Sequence, residues 1–272
     1  VAKKGDIKKM KLFASDYDGT FLRKKRSANE IAHNIHQVKK WRKSGNIFAF
    51  VTGRSITGMR LSQLRGCVYD YIISLNGGIV IDKHGVIIFR RRIRQEVAKE
   101  LIEIVQRKTN YYHMTDGFVG HYNSAFTFGK GTYFKNWLKV MSHVSPRYNL
   151  KIEDALKRPV LQITLSLPSE EEAIEFVNIL NKNYGEELSA YSNNGYVDIS
   201  APNVSKATGI NSVAKIHNIE TRDIYCMGDS YNDISMLKAF KGFCPIETNE
   251  EIKKYAKKEY ANVGNAIRAI RV

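Results

Sequence analysis

Two carboxylates stand two residues apart in Asp16-Tyr17-Asp18-Gly19-Thr20, directly after a short apolar run. In a loop, such a pair can point into one crevice. One carboxylate can hold a hard cation and attack as a nucleophile, while the other carries a proton. The same residues also make ordinary turns, and Gly19 would permit a tight one. A second acidic group, Gly228-Asp229-Ser230-Tyr231-Asn232-Asp233, follows another apolar run. Magnesium takes one or two protein carboxylates plus waters and phosphate oxygens, and Asp16 with Asp229 would meet that need if their strands are neighbours. Alternatively, Asp and Asn here simply cap a helix. Thr52 ends a third apolar run and offers a hydroxyl and a backbone amide to a phosphate. Lys206 precedes a helical stretch, where an ammonium can offset charge on a phosphoryl group and a nucleophilic aspartate.

The elements that must position these groups follow from hydrophobic periodicity. Lys11 to Ser15, Ile47 to Val51, Tyr71 to Leu75 and Ile224 to Met227 are apolar runs of strand length. Ile31, Ile35, Val38 and Trp41 recur at helical spacing within 29–44, and Gly45 ends that helix. Helices are also expected after Arg54, over 207–217 and over 234–240. Strands alternating with helices imply a parallel sheet covered on both faces, with ligands bound at the carboxyl ends of its strands. All four chemical groups fall at strand-to-helix junctions.

Between these stretches the rhythm changes. Ile79 to Ile81 and Val86 to Phe89 flank Asp82-Lys83-His84-Gly85, a hairpin signal. A helix over 96–108, an aromatic-rich stretch from Tyr111 to Phe134, an alternating strand from Val160 to Leu167 and an acid-capped helix after Pro168 follow. A second hairpin is expected around Asn193-Asn194-Gly195. The reading is an α/β fold: a Rossmann-like parallel-sheet core over 1–82 and 191–272, with an α+β cap domain inserted over 83–190. Tyr111, Tyr112, Phe118, Tyr122, Phe126 and Trp137 are among the aromatics that either pack the cap's own core or stack on a substrate ring.

Composition narrows the function classes. The 272 residues are 43% hydrophobic, enough for a core, and no apolar run approaches the roughly 20 residues of a membrane span. Three scattered cysteines, Cys67, Cys226 and Cys244, make neither a disulfide framework nor a zinc site, so a reducing, cytoplasmic setting is expected. The formal net charge is +16, and residues 1–45 hold 13 Lys/Arg against 4 Asp/Glu. That balance favours anionic partners, either phosphorylated metabolites or nucleic acid. Gly129-Lys130-Gly131-Thr132 fails the phosphate-loop pattern because position 124 is Ser.

The order Asp-x-Asp, Thr, Lys, Gly-Asp-x-x-x-Asp resembles the haloacid dehalogenase superfamily of aspartate-nucleophile phosphohydrolases. Val51-Thr52-Gly53-Arg54, Ser74-Leu75-Asn76-Gly77-Gly78 and an insertion between the Thr and Lys motifs resemble its Cof-like branch. The resemblance implies a magnesium-dependent phosphatase of a small phosphorylated metabolite, with Asp16 as nucleophile and metal ligand. Asp18 would be the acid/base, with its backbone carbonyl on the metal. Thr52 and Lys206 would hold the phosphoryl group, Asp229 and Asp233 would serve the metal, and Gly53, Asn76, Asn232 and Asn249 would line the substrate side. A phosphotransferase or phosphomutase would share the same core motifs. A nucleic-acid-binding role stands last, since no recognition-helix or stacking motif accompanies the charge.

Overall fold

The computed structural model describes residues 9–23, 27–61, 67–123, 150–193 and 195–270. Phe126, Phe128, Tyr133, Phe134, Trp137, the 129–132 loop, His143 and most of the basic run 23–26 lie outside those residues. The chain forms β1 (Leu12–Asp16), α1 (Ala28–Lys43), β2 (Ile47–Val51), α2 (Ile56–Leu61), β3 (Tyr71–Ser74), β4 (Ile79–Asp82) and β5 (Ile87–Arg90). Next come α3 (Gln95–Lys108), β6 (Tyr112–Thr115), β7 (Gly120–Tyr122), α4 (Ile152–Ala155), β8 (Gln162–Ser166), α5 (Glu170–Tyr184), β9 (Ser189–Asn193) and β10 (Tyr196–Ser200). The chain closes with α6 (Lys206–Ile216), β11 (Ile224–Met227), α7 (Ile234–Ala239), β12 (Lys241–Pro245), α8 (Glu250–Lys253), β13 (Lys258–Tyr260) and α9 (Val263–Ile270).

An eight-stranded sheet runs in the order β13-β12-β11-β1-β2-β3-β4-β5. Its strands are parallel from β13 to β3, and the β4–β5 hairpin adds an antiparallel edge. Period-two alternation explains why the central strands are apolar throughout. Phe13, Phe48, Phe50 and Ile72 face a cluster with Trp41, Val263 and Ile267 of α1 and α9. Leu12, Ala14, Ile47, Ala49, Val51 and Ile73 face a second cluster with Ile210, Val213 and Leu237 of α6 and α7. Ser27 caps α1 by accepting the Glu30 amide, and Gly45 at φ +80° ends it, as the sequence predicts.

A five-stranded antiparallel sheet, β7-β6-β8-β10-β9, forms the second layer system. One face is apolar: Tyr112, Met114, Ile163, Leu165, Val197 and Ile199 share a cluster with Leu101 of α3 and Phe176 of α5. Two strand pairs correct the expected divisions at 82/83 and 190/191. β5 pairs with β4 in the core sheet, and β9–β10 pairs with β8 in the inserted sheet rather than joining the core. The chain therefore leaves the core after β5 and rejoins it at α6. A hairpin's local signal predicts its turn, whereas its sheet is chosen by which apolar face it helps to cover.

Candidate active site

Neighbouring parallel strands β11, β1 and β2 end at one edge, and the next parallel strand, β3, leads there into Asn76. Asp16 is the last residue of β1 and is 4% exposed. The chain then turns sharply: the Gly19 amide donates to the Leu22 carbonyl at 2.9 Å, and Gly19 takes φ +86°. A Cβ at Gly19 would lie 2.3 Å from Asp229 Oδ2, so glycine allows the two acidic loops to meet. The Thr20 hydroxyl donates to Asp229 Oδ1 at 2.6 Å and ties them together.

Lys206 is the first residue of α6. Ser205 and Thr208 make a reciprocal capping box that sets the angle at which the helix starts. The Lys206 side chain is 1% exposed and its Nζ lies 2.6 Å from both Asp16 Oδ1 and Asp233 Oδ1. Burial pushes the Lys206 ammonium down, but the Asp16 and Asp233 carboxylates outweigh it and hold the group charged. Asp233 accepts the Asp229 and Ser230 amides on its other oxygen, both at 2.9 Å. Of the three carboxylates it has least left to offer a cation.

Asp16, Asp229 and Asp233 place carboxylate oxygens within 4.8 Å of one another. Burial pushes Asp16 well above the carboxylate range, with Asp233 and Asp229 adding to the rise against the pull of Lys206. Burial, with Asp233, lifts Asp229 to about 6. Three carboxylates thus face one ammonium among the described residues. Asp16 Oδ2 is buried with no hydrogen-bond partner. An all-oxygen, electron-rich set with a bare carboxylate oxygen suits a hard divalent cation.

The other expected residues are placed as follows. Asp18 is half exposed and lies in a two-pronged pair with Arg54, whose Nε and Nη2 each donate at 2.6 Å. Thr52 is buried, and its hydroxyl accepts the Arg54 amide at 3.1 Å. Its own amide donates to the Ile73 carbonyl and α2 begins only at Ile56, so of the two groups expected to meet a phosphate only the hydroxyl remains. Asn76 follows β3 at φ 52°, next to Leu75 at φ 51°, a pair of left-handed non-glycine residues held where the loop meets α6. Its Oδ1 accepts from Asn232 Nδ2 at 3.1 Å, and a Cβ at Gly53 would lie 3.3 Å from the same atom. Asn249 caps α8, taking the Glu251 amide on its side chain, and stands exposed. Arg54, Thr20 and Asp198 are the site neighbours that sequence reasoning leaves without a role. Arg54 lies within a quoted motif, Thr20 ends the first one, and Asp198 had no signal beyond its place in a hairpin.

A family model described as haloacid dehalogenase-like hydrolase matches residues 13–265. The 5-amino-6-(5-phospho-D-ribitylamino)uracil phosphatase YbjI of Escherichia coli is 25% identical over 237 residues, spanning 84% of this chain and 82% of its own. Phosphatase YwpJ of Bacillus subtilis is 25% identical over 276 residues, spanning 91% and 93%. Among solved structures, a haloacid dehalogenase-like hydrolase from B. subtilis superposes with a TM-score of 0.78 at 21% identity, covering 95% of this chain and 99% of that one. The family model spans every strand-end motif from Asp16 to Asp233, and this protein belongs to the haloacid dehalogenase-like hydrolases.

Proposed function

We propose that the protein is a magnesium-dependent phosphatase of a small phosphorylated metabolite, working through phosphorylated Asp16. One observation carries the reading: the buried Asp16 has one oxygen on Lys206 and the other bare, beside Asp229. Asp16 and Asp229, with the Asp18 backbone carbonyl, would hold the cation, which when bound supplies positive charge to the phosphoryl oxygens and the carboxylates. Relatives named as phosphatases support the class of reaction.

The residues divide the work. A carboxylate oxygen of Asp16 attacks phosphorus, the ester P–O bond breaks, and Asp18 gives the leaving oxygen a proton. Asp18 then takes a proton from water, the water oxygen attacks phosphorus, and the Asp16–phosphorus bond breaks. Lys206 fixes the orientation of Asp16 through Oδ1; its charge and the Thr52 hydroxyl steady the transferring group. Asp233 holds Lys206 and the 229–230 amides in place. Because Arg54 grips both oxygens of Asp18, proton transfer requires that pair to open on one side.

Hydrolysis of p-nitrophenyl phosphate with magnesium tests the reading. EDTA should stop it, added magnesium should restore it, and Asp16→Asn should abolish it. Full activity in Asp16→Asn overturns the mechanism.

A further inference from the structure

The start of α2 is capped by the inserted unit. The first amides of a helix have no partner within it. In α2 the Gly58 amide donates to the Ser55 hydroxyl at 3.0 Å, a local cap. The Ile56 and Thr57 amides instead donate to the Gly117 carbonyl, at 2.9 and 3.4 Å. The Thr57 hydroxyl donates to the Phe118 carbonyl at 2.6 Å, across 61 positions of sequence. Gly117 and Phe118 lie in the turn between β6 and β7.

That turn is braced from within. Asp116 Oδ1 accepts the Phe118 and Val119 amides, both at 2.9 Å, and Arg158 donates to its Oδ2 at 2.7 Å. The Thr115 hydroxyl accepts the Gly117 amide and donates to the Val119 carbonyl, both at 2.9 Å. Gly117 takes φ +94°, a left-handed step open to glycine, and two successive carbonyls are offered to α2.

From α2 the contact leads straight to the acid/base. Arg54 stands two residues before Ile56. Its guanidinium donates to both oxygens of Asp18 at 2.6 Å and lies 5.5 Å over the Tyr17 ring. Its amide donates to the Thr52 hydroxyl and its carbonyl accepts the Leu75 amide, both at 3.1 Å. The 52–57 segment is thus held by the catalytic loops at one end and by the inserted unit at the other. Thr57 is only 8% exposed, and Ile56 and Met59 are sealed in the core cluster, so close packing passes a shift at the helix start on to its neighbours. A planar fork on a carboxylate needs both donors aligned, and a small tilt of α2 costs one bond of the pair.

We propose that Thr57 is a positioning residue through which the inserted unit holds Arg54, and with it Asp18, in the orientation for proton transfer. It touches neither substrate nor the reacting atoms. The inference rests on the phosphatase reading above. Removing the Thr57 hydroxyl takes a donor from the Phe118 carbonyl and loosens the α2 start, and the step that suffers is protonation of the leaving oxygen.

Phenyl phosphate and p-nitrophenyl phosphate, alike in shape but unlike in leaving-group basicity, test this on the full chain with magnesium. The measurement is kcat/KM, which covers the steps up to departure of the leaving group. Thr57→Val should lower the value for phenyl phosphate relative to that for p-nitrophenyl phosphate by about 3–10-fold, the usual contribution of one hydrogen bond. Thr57→Ser, which keeps the hydroxyl, should restore the wild-type ratio. In an Arg54→Met background, Thr57→Val should leave the ratio unchanged, because the group it positions is gone. Equal losses on both esters, or the same loss with and without Arg54, overturn the inference, because they signify a structural role. Thr57→Ala, which adds no bulk, replaces Thr57→Val if the latter does not fold. Wild-type inactivity toward p-nitrophenyl phosphate would instead defeat the phosphatase reading.

Discussion

At the scale of single residues, the two carboxylates of the first motif are set apart by their surroundings. Asp16 is buried against an ammonium, while Asp18 stands half exposed under a guanidinium. A buried, immobile oxygen suits attack, and an accessible one suits proton exchange. The pair was legible in the sequence because both lie at a strand end, but their partners were not, since Lys206 is 190 positions from Asp16 and Arg54 is 36 from Asp18. Asp18→Asn should slow hydrolysis of a sugar-alcohol ester by about 10²–10⁴-fold, the usual contribution of a positioned acid–base group. The loss should be smaller for p-nitrophenyl phosphate, whose leaving group needs little protonation. Dephosphorylation still needs the base, so phosphorylated Asp16 should accumulate with the activated ester and be trapped by rapid quench. Equal slowing for both esters with no trapped phosphoenzyme would assign Asp18 another task.

At the scale of elements, the core strands follow from composition alone, because strands covered on both faces must be apolar at every position. The inserted strands are harder to read, since their alternation says which residues share a face but not what that face meets. β6 illustrates the cost of that ambiguity. His113 stacks on Tyr122 with ring centroids 5.2 Å apart, its Nδ1 is shut off from solvent, and burial pushes the imidazole down to about 4. Its unfolded value is near 6.5, so between those two values the unfolded chain binds a proton that the folded chain refuses. Stability attributable to His113 therefore falls as pH drops through 6.5 toward 4. At pH 5 the difference amounts to about 2 kcal/mol by proton linkage. Urea unfolding at pH 7 and pH 5 should show a smaller drop for His113→Gln than for the wild type. Identical drops would exclude His113 as the source.

At the scale of the whole molecule, part of the +16 charge is taken up in ion pairs among the described residues. Several cations of the basic N-terminal region are paired: Lys9 with Glu220, Arg23 with Glu30 and Glu247, and Arg42 with Asp70. Nucleic-acid affinity depends on how many phosphates are neutralised and falls steeply with salt. Duplex DNA should therefore show no retention by this protein in a gel shift at about 0.15 M salt, the range in which unspecific contacts are already weak. Retention there would revive a nucleic-acid role. Among the described residues no helix is long and apolar enough to cross a membrane, and the three cysteines are free.

The sequence by itself determined the parallel α/β core, the inserted α+β unit and the placing of Asp16, Thr52 and Asp229 at strand ends. It could do so because apolar period and turn residues are local, and parallel strands in such a sheet send their carboxyl ends to one edge. Tertiary structure alone decided that β11 and β2 flank β1, which brings Asp229 and Thr52 beside Asp16. It also decided that Lys206 spans two carboxylates, that the Thr52 amide is taken by Ile73, and that β9–β10 joins the inserted sheet. These outcomes are pairings between distant segments. A side chain's hydrogen-bond partner and a hairpin's sheet are selected by which long-range arrangement buries the apolar faces and satisfies the polar groups together, and no local pattern carries that choice.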